Sequence, residues 1–225
     1  MIKSEINESM AATQKVLTAL LATLHGSTGV LGADVRWACG QLSANGASLL
    51  DAGGSTFWDQ FAACFESARL AGANFAAMDA VRVTAEGLAP IGVPAIAVKN
   101  FAVRLALAEL AQILATTTFT SRQDIDSYFD QINASFELAE TVAADAHDNV
   151  AYVSLTALHA AVSIDLANRA RPLPRMISYS FQNRMPSLWM AQRLYADASR
   201  NDELIAENKP IHPLFMPSTG AALSA

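Results

Sequence analysis

Arg171-Pro172-Leu173-Pro174-Arg175, followed by Met176-Ile177-Ser178-Tyr179-Ser180-Phe181, is where the chain changes character. Two prolines lack backbone donors and push the residues before them out of the helical region, so any helix arriving here must stop. The next six residues alternate apolar and polar, the period of a strand with one buried face. Downstream, Pro186 suits the first turn of a helix, and Leu188, Ala191, Leu194 and Tyr195 supply its buried side. Asp197-Ala198-Ser199 reads as a turn. Ser199 with Asp202 or Glu203 can cap a second short helix containing Leu204 and Ile205, which Asn208 ends. The tail from Lys209 holds three prolines and no helical period, and the residues after Gly220 can pair with the first strand. This predicts a compact β-α-α-β module over 173–225, joined to a helical domain over 1–172.

Upstream, the period is that of helices. Ile6, Met10, Thr13, Leu17, Leu21 and Leu24 recur every three or four residues, and His25-Gly26-Ser27-Thr28-Gly29 ends the run. Leu31, Val35, Ala38 and Leu42 repeat the pattern, which fades near Asn45-Gly46. Asp51-Ala52-Gly53-Gly54 is a break, after which Ser55 can cap a helix with Phe57, Phe61, Cys64, Phe65 and Ala68 on its apolar face. Residues 73–88 fit no single period. After the loop marked by Pro90, Gly92 and Pro94, a helix from Ala95 to Ala115 is apolar almost all round, which predicts a central position. Thr120-Ser121-Arg122-Gln123-Asp124 is a start signal for a helix with Ile125, Phe129, Ile132, Phe136 and Ala139 inward. A last long helix, Asn149 to Ala170, is expected to turn Val150, Val153, Ala157, Ala161 and Ile164 inward. The fold class expected is mainly α.

Composition narrows the functions. Of 225 residues, 52% are hydrophobic and only 16% charged, the reverse of a disordered chain. The net charge of -6 argues against a uniformly basic nucleic-acid binder, since phosphate neutralisation needs excess Lys and Arg. The charge is uneven: residues 1–164 carry 8 basic and 16 acidic side chains, whereas 165–209 carry 7 and 5. A mildly basic C-terminal face on an acidic body suits docking to an acidic partner or another copy. Cys39 and Cys64 form no CxxC pair and are expected to pack as small hydrophobes in a reducing compartment. The first residues, Met1-Ile2-Lys3-Ser4-Glu5, do not read as a signal peptide. The best membrane candidate, Phe101 to Phe119, contains Arg104 and Glu109, so it is expected to be a core helix; no membrane contact is expected.

Motifs for catalysis are missing. The sequence has no GxSxG, no Gly-rich loop ending in Lys-Ser or Lys-Thr, no HExxH, and no GxGxxG after a strand. Gly26, Gly29 and Gly32 read as an interhelix turn. Asp145, His147 and Asp148 are the nearest approach to a metal set, but that spacing does not share a helical face. His159 reads as a satisfied helix histidine. Asp124, Asp126 and Asp130 suit the positive end of a helix dipole better than a catalytic cleft. No enzyme activity, cofactor or metal is expected.

The module carries one further pattern. Pro186, Leu188, Ala191, Arg193-Leu194-Tyr195, Asp197-Ala198, Arg200, Glu203-Leu204, Asn208, His212-Pro213, Phe215 and Pro217 fall in a spacing that resembles the C-terminal end of the phage Mu N protein family, the DNA circularisation proteins of Mu-like phages. The same tail is similar to LysM-type modules, with Tyr195-Ala196-Asp197 in place of their Tyr-Gly-Asp turn and Asn208 after the second helix. Ala196 departs from that pattern. The additional N-terminal domain usual in the Mu-type family is not recognised here. The resemblance implies a structural protein of a contractile phage tail baseplate or tube end. It would be made in the host cytoplasm and carried in the virion, with several copies in a ring joining tube and hub to wedge proteins. It implies protein-interaction roles for Arg193, Tyr195, Asp197, Arg200, Asn208, Lys209, His212 and Phe215. Trp189, Leu194 and Phe215 also fit a module core, and Arg193 or Arg200 can instead pair with Asp197 or Asp202. The alternative reading is a DNA-end-binding protein that assists circularisation of injected DNA.

Overall fold

The run from Val93 to Thr116, apolar around nearly its whole circumference, forms the helix on which the larger part of the protein is built. The computed structural model describes residues 2–24 and 29–224, and the expected turn at 25–28 lies outside the described residues. Helices α1 (Lys3–Ala22), α2 (Val30–Ala52), α3 (Thr56–Leu70), α4 (Phe75–Glu86), α5 (Val93–Thr116), α6 (Arg122–Asp145) and α7 (Asn149–Ala170) are followed by β1 (Met176–Ser180), α8 (Ser187–Tyr195), a 3-10 turn, α9 (Asn201–Asn208) and β2 (Thr219–Leu223). The architecture is mainly α with a small C-terminal β element. Contacts divide the chain into two units, Met1–Thr117 with Asn133–Val162, and Thr118–Ile132 with Ser163–Ala225.

In the first unit α5 packs against α1, α3 and α4, and α1 also meets α2. Its N-terminus is capped by Glu8 of α1, whose carboxylate accepts from the amides of Ile91 (2.7 Å) and Gly92 (2.9 Å), placing negative charge at the positive dipole end. Phe57, Phe61 and Phe65 of α3 are fully buried, and Phe61 packs against Phe101 of α5 at a centroid distance of 6.3 Å. Two charges reach this interior only in pairs. Glu109 accepts from Arg69 Nε at 2.5 Å, and Arg82 donates to Asp79 and Glu86. Unpaired, either would carry a large desolvation cost. Arg82 also explains why 73–88 fitted no period: a charge sits on the buried face of α4, which Asn74 caps through the Ala77 amide.

Several local expectations need correction. The buried face of α1 is Ser9, Ala12, Thr13, Val16, Leu17 and Leu20, so Leu21 is turned outward. Ser9 and Thr13 are buried because each hydroxyl donates to the carbonyl four residues earlier, at 2.8 Å. Helix α2 does not fade at Gly46 but runs to Ala52. Gly46 is kept free of a side chain by Met10, whose Cε lies 2.8 Å from where a Cβ would stand. Ser55 occupies the N-cap position of α3 without making a side-chain cap bond. Cys39 and Cys64 are buried free thiols facing each other from α2 and α3, and the Cys39 sulfur together with burial pushes the Cys64 thiol up.

The largest correction concerns α7. Val150, Val153, Ala157, Ala161 and Ile164, expected inward, are exposed; Leu155, Val162 and Leu166 are buried instead. The register is set by His159. Its Nδ1 and Nε2 lie 2.9 Å from Glu140 and Asn133 of α6, and its ring stacks on Phe136 at 5.0 Å. Among the described residues α7, and not the Phe101 to Phe119 segment, is long and apolar enough to cross a membrane by length and composition.

The second unit gathers the start of α6 around the strands. Arg122 N donates to Pro174 O at 3.0 Å, and the Gln123 side chain accepts from Met176 N at 2.6 Å. These bonds are why the expected boundary at 172/173 falls inside a unit that also includes 118–132 and 163–172. Strands β1 and β2 pair antiparallel from Met176↔Leu223 to Ser180↔Thr219. With α8 and α9 between them they form the expected β-α-α-β order, around a core of Tyr179, Met190, Ala191, Leu204, Met216 and Ala222.

The α6 start signal resolves to a reciprocal cap. Ser121 Oγ accepts from Asp124 N, and the Asp124 carboxylate accepts from Ser121 N, Thr120 N and Thr120 Oγ1. Partial burial raises the Asp124 carboxyl, but the Thr120 and Ser121 bonds outweigh it and hold its pKa below the ordinary aspartate value. A carboxylate with a depressed folded pKa stabilises fully above the unfolded value of about 3.9 and loses that contribution as pH falls through the lower folded value. Urea titrations of wild type and Asp124→Asn are expected to show a stability gap at pH 7 that narrows toward pH 3.

Candidate docking surface

In the module, the residues between α9 and β2 cannot join the sheet, because Pro210, Pro213 and Pro217 interrupt them. They are pinned to the start of α8 instead: Ser187 N donates to Pro213 O at 2.8 Å, and Met216 N donates to Met185 O at 3.1 Å. This puts the 211–215 loop beside the first turn of α8. Leu188, Trp189, Ile211, Leu214 and Phe215 are all exposed there. His212 shapes the loop, its Nδ1 accepting from Leu214 N at 3.1 Å and its ring lying 6.1 Å from that of Phe215. Arg193, one turn after Trp189 on α8, is exposed on the same face. The result is a set of exposed apolar and aromatic side chains around the junction of the loop and α8, with Arg193 exposed one turn further along the helix.

The other expected interaction residues serve the module itself. Tyr195 accepts from Leu223 N at 3.2 Å, and its ring lies under the Arg200 guanidinium at 4.0 Å. Arg200 pairs with Glu203, at 2.8 Å, and not with Asp197 or Asp202. Asp197 caps the 3-10 turn by accepting from Ser199 N and Oγ, and these bonds hold its carboxyl below the usual range. Asn208 accepts from Ala221 N at 2.9 Å and donates to Ala221 O at 2.7 Å, clamping α9 to β2. Lys209 is exposed, at a positive φ of 43°. Of the expected residues, then, Arg193, Lys209, His212 and Phe215 are exposed, and His212 and Phe215 lie side by side in the loop. Phe215, which also fitted a core, is exposed; Trp189 is part-exposed with its ring edge-on to Phe181 at 5.7 Å, at the border of the core, and Leu194 is half-buried. Met190, Ala191 and Met216 fill the interior instead. Leu188, expected on the buried side of α8, is instead exposed, and sequence reasoning missed Ile211 and Leu214, for which the flanking Pro210, Pro213 and Pro217 were the available signal.

The first unit also carries a cleft of about 590 Å³ walled by Leu88, Pro90, Ile96, Val103, Leu138 and Val142. Three of its four charged lining groups have partners: Lys99 donates to Leu88 O at 2.6 Å, Arg104 pairs with Asp148 at 2.8 Å, and Glu86 holds Arg82; the fourth is Asp145. Asp148 is also the cap of α7, accepting from Ala151 N, so the Asp145, His147 and Asp148 cluster is a helix–helix turn. Among the described residues no group of three or more His, Cys, Asp and Glu side chains is arranged to hold a metal. No protein-family model matches the chain, and no curated protein sequence matches it significantly.

Two substitutions test this construction. Ala196 ends α8 in the left-handed region at φ 57°, which costs an L-residue about 1 kcal/mol, so Ala196→Gly is expected to raise stability by about that amount in thermal or urea unfolding. Gly220 admits no side chain, because a Cβ would meet Asn208 Oδ1 and lie 2.7 Å from the Tyr179 hydroxyl. Gly220→Ala is expected to destabilise the module by about 1–3 kcal/mol, seen as early loss of near-UV tyrosine and tryptophan signal.

Proposed function

We propose that this protein is a structural component of a contractile phage tail, at the baseplate or tube end, and that it works by protein–protein contact and not by catalysis. The observation that carries the reading is the group of exposed apolar side chains Leu188, Trp189, Ile211, Leu214 and Phe215 around the α8–loop junction, with Arg193 exposed on α8, in a module whose remaining signature residues hold its own fold together. Exposed aromatic and arginine side chains on a rigid element are the usual anchors of a protein interface. The β-α-α-β order of the module and its resemblance to the Mu-type and LysM-like tails support placing that interface in a tail assembly. The acidic helical body then faces neighbouring copies, and the less acidic module docks the tube, hub or wedge partner.

Mass spectrometry of purified tail particles is expected to find the chain in several copies per particle; its absence would overturn the proposal. Trp189→Ala combined with Arg193→Glu is expected to lower incorporation into particles at least tenfold while circular dichroism of the purified variant stays unchanged. A salt-dependent mobility shift of linear DNA by the wild-type protein, lost in that variant, would favour the circularisation reading instead.

A further inference from the structure

Helix α7 is a continuous helix whose outward face is built as a seam for another helix. Val150, Val153, Ala157, Ala160, Ile164 and Ala167 are all exposed, with Val150 at 80%, Val153 at 58% and Ile164 at 62%. Their spacing of three and four alternates strictly, the narrow 3.5-residue repeat of a coiled-coil seam. No charged residue interrupts α7 before Asp165. We infer that this face pairs with the same face of a second copy, the two α7 helices lying antiparallel about a two-fold axis at Ala157.

The side chains select the second copy and the antiparallel sense. About a dyad at Ala157, Val150 meets Ile164 of the other copy, and Val153 meets the small Ala160 and Ala161. Ala157 meets itself, so the helices approach closely at the centre. Large groups therefore oppose large groups at the ends, and large oppose small between them. Charge agrees with this register. Asp165 of each copy comes to lie over Asn149 and the first turn of the other α7, the positive end of its dipole. Asp148 at that end is already paired with Arg104 at 2.8 Å. A parallel arrangement would instead set Asp165 against Asp165 and align the two dipoles. A bilayer fits less well. The inner side of α7 is held to α6 through His159, Glu140 and Asn133, and Asp165 and Arg169 lie in its last turns, where lipid burial is costly. The pairing rests on α7 alone and does not depend on the phage-tail reading.

Sedimentation equilibrium of the full chain is the test. A seam of about three turns per helix gives an interface at the small end of the range, so protein at about 100 µM is used. A mass twice the 23.9 kDa of the chain is expected, falling to the single-chain mass in Ala157→Glu. A wild-type monomer at that concentration, or a dimer untouched by Ala157→Glu, overturns the inference. A cross-linking arm does not depend on how the glutamate variant folds. Val150→Cys mixed with Ile164→Cys is expected to give a disulfide-linked heterodimer under mild air oxidation, and Thr18→Cys on α1 is not; equal yields overturn it. Flotation of the wild type with phosphatidylcholine–phosphatidylglycerol vesicles, abolished by Ala157→Glu, would assign the face to lipid instead and also overturn it.

Discussion

Helix α5 is apolar around nearly its whole circumference, and a helix of that kind is stable in water only if neighbours cover it. The first unit is arranged to meet that constraint. Helices α1, α3 and α4 lie against α5, and Glu8 of α1 closes its N-terminus. The same constraint explains the small and polar residues at the contacts. Ser9 and Thr13 bond to their own backbone, Gly46 gives way to Met10, and Glu109 enters the interior only with Arg69 beside it. Each allows close packing without leaving a buried polar group unpaired.

The module solves a different problem. A two-stranded sheet is marginal by itself, and this one is held by side chains that reach across from the helices. Asn208 spans from α9 to β2, Tyr195 from α8 to β2, and Gln123 from α6 to β1. Because these ties lie within the fold, the loop between α9 and β2 is released to the surface while its two anchor points stay fixed. Its apolar side chains Ile211, Leu214 and Phe215 are thereby exposed on a loop held at both ends.

How much was legible depended on whether a signal was local. The Ser121–Asp124 cap, the α3 stripe, the central place of α5 and the β-α-α-β order all come from neighbouring residues or from a single dominant period, and the sequence carried them. The candidate surface was legible in part. Of the expected residues, Arg193, Lys209, His212 and Phe215 are exposed, whereas Tyr195, Asp197, Arg200 and Asn208 bond within the module, because a motif marks residues that hold a fold as well as any at its surface. Residues 73–88 hid their helix because Arg82 sits on its buried face, tolerated only through Asp79 and Glu86.

Helix α7 states the division most clearly. Its sequence determined a long apolar helix and no more, since Val150–Val153–Ala157–Ile164 and Leu155–Val162–Leu166 are both admissible stripes. Which one faces inward was decided by His159, through groups on α6 that lie 19 and 26 residues away in the chain. The sequence by itself thus determined the class of each element, its ends where caps and prolines are local, and the order β-α-α-β. The tertiary structure alone decided which apolar face is covered and which motif residues reach the surface. Both are settled by hydrogen-bond partners distant in sequence, which no local period can reveal.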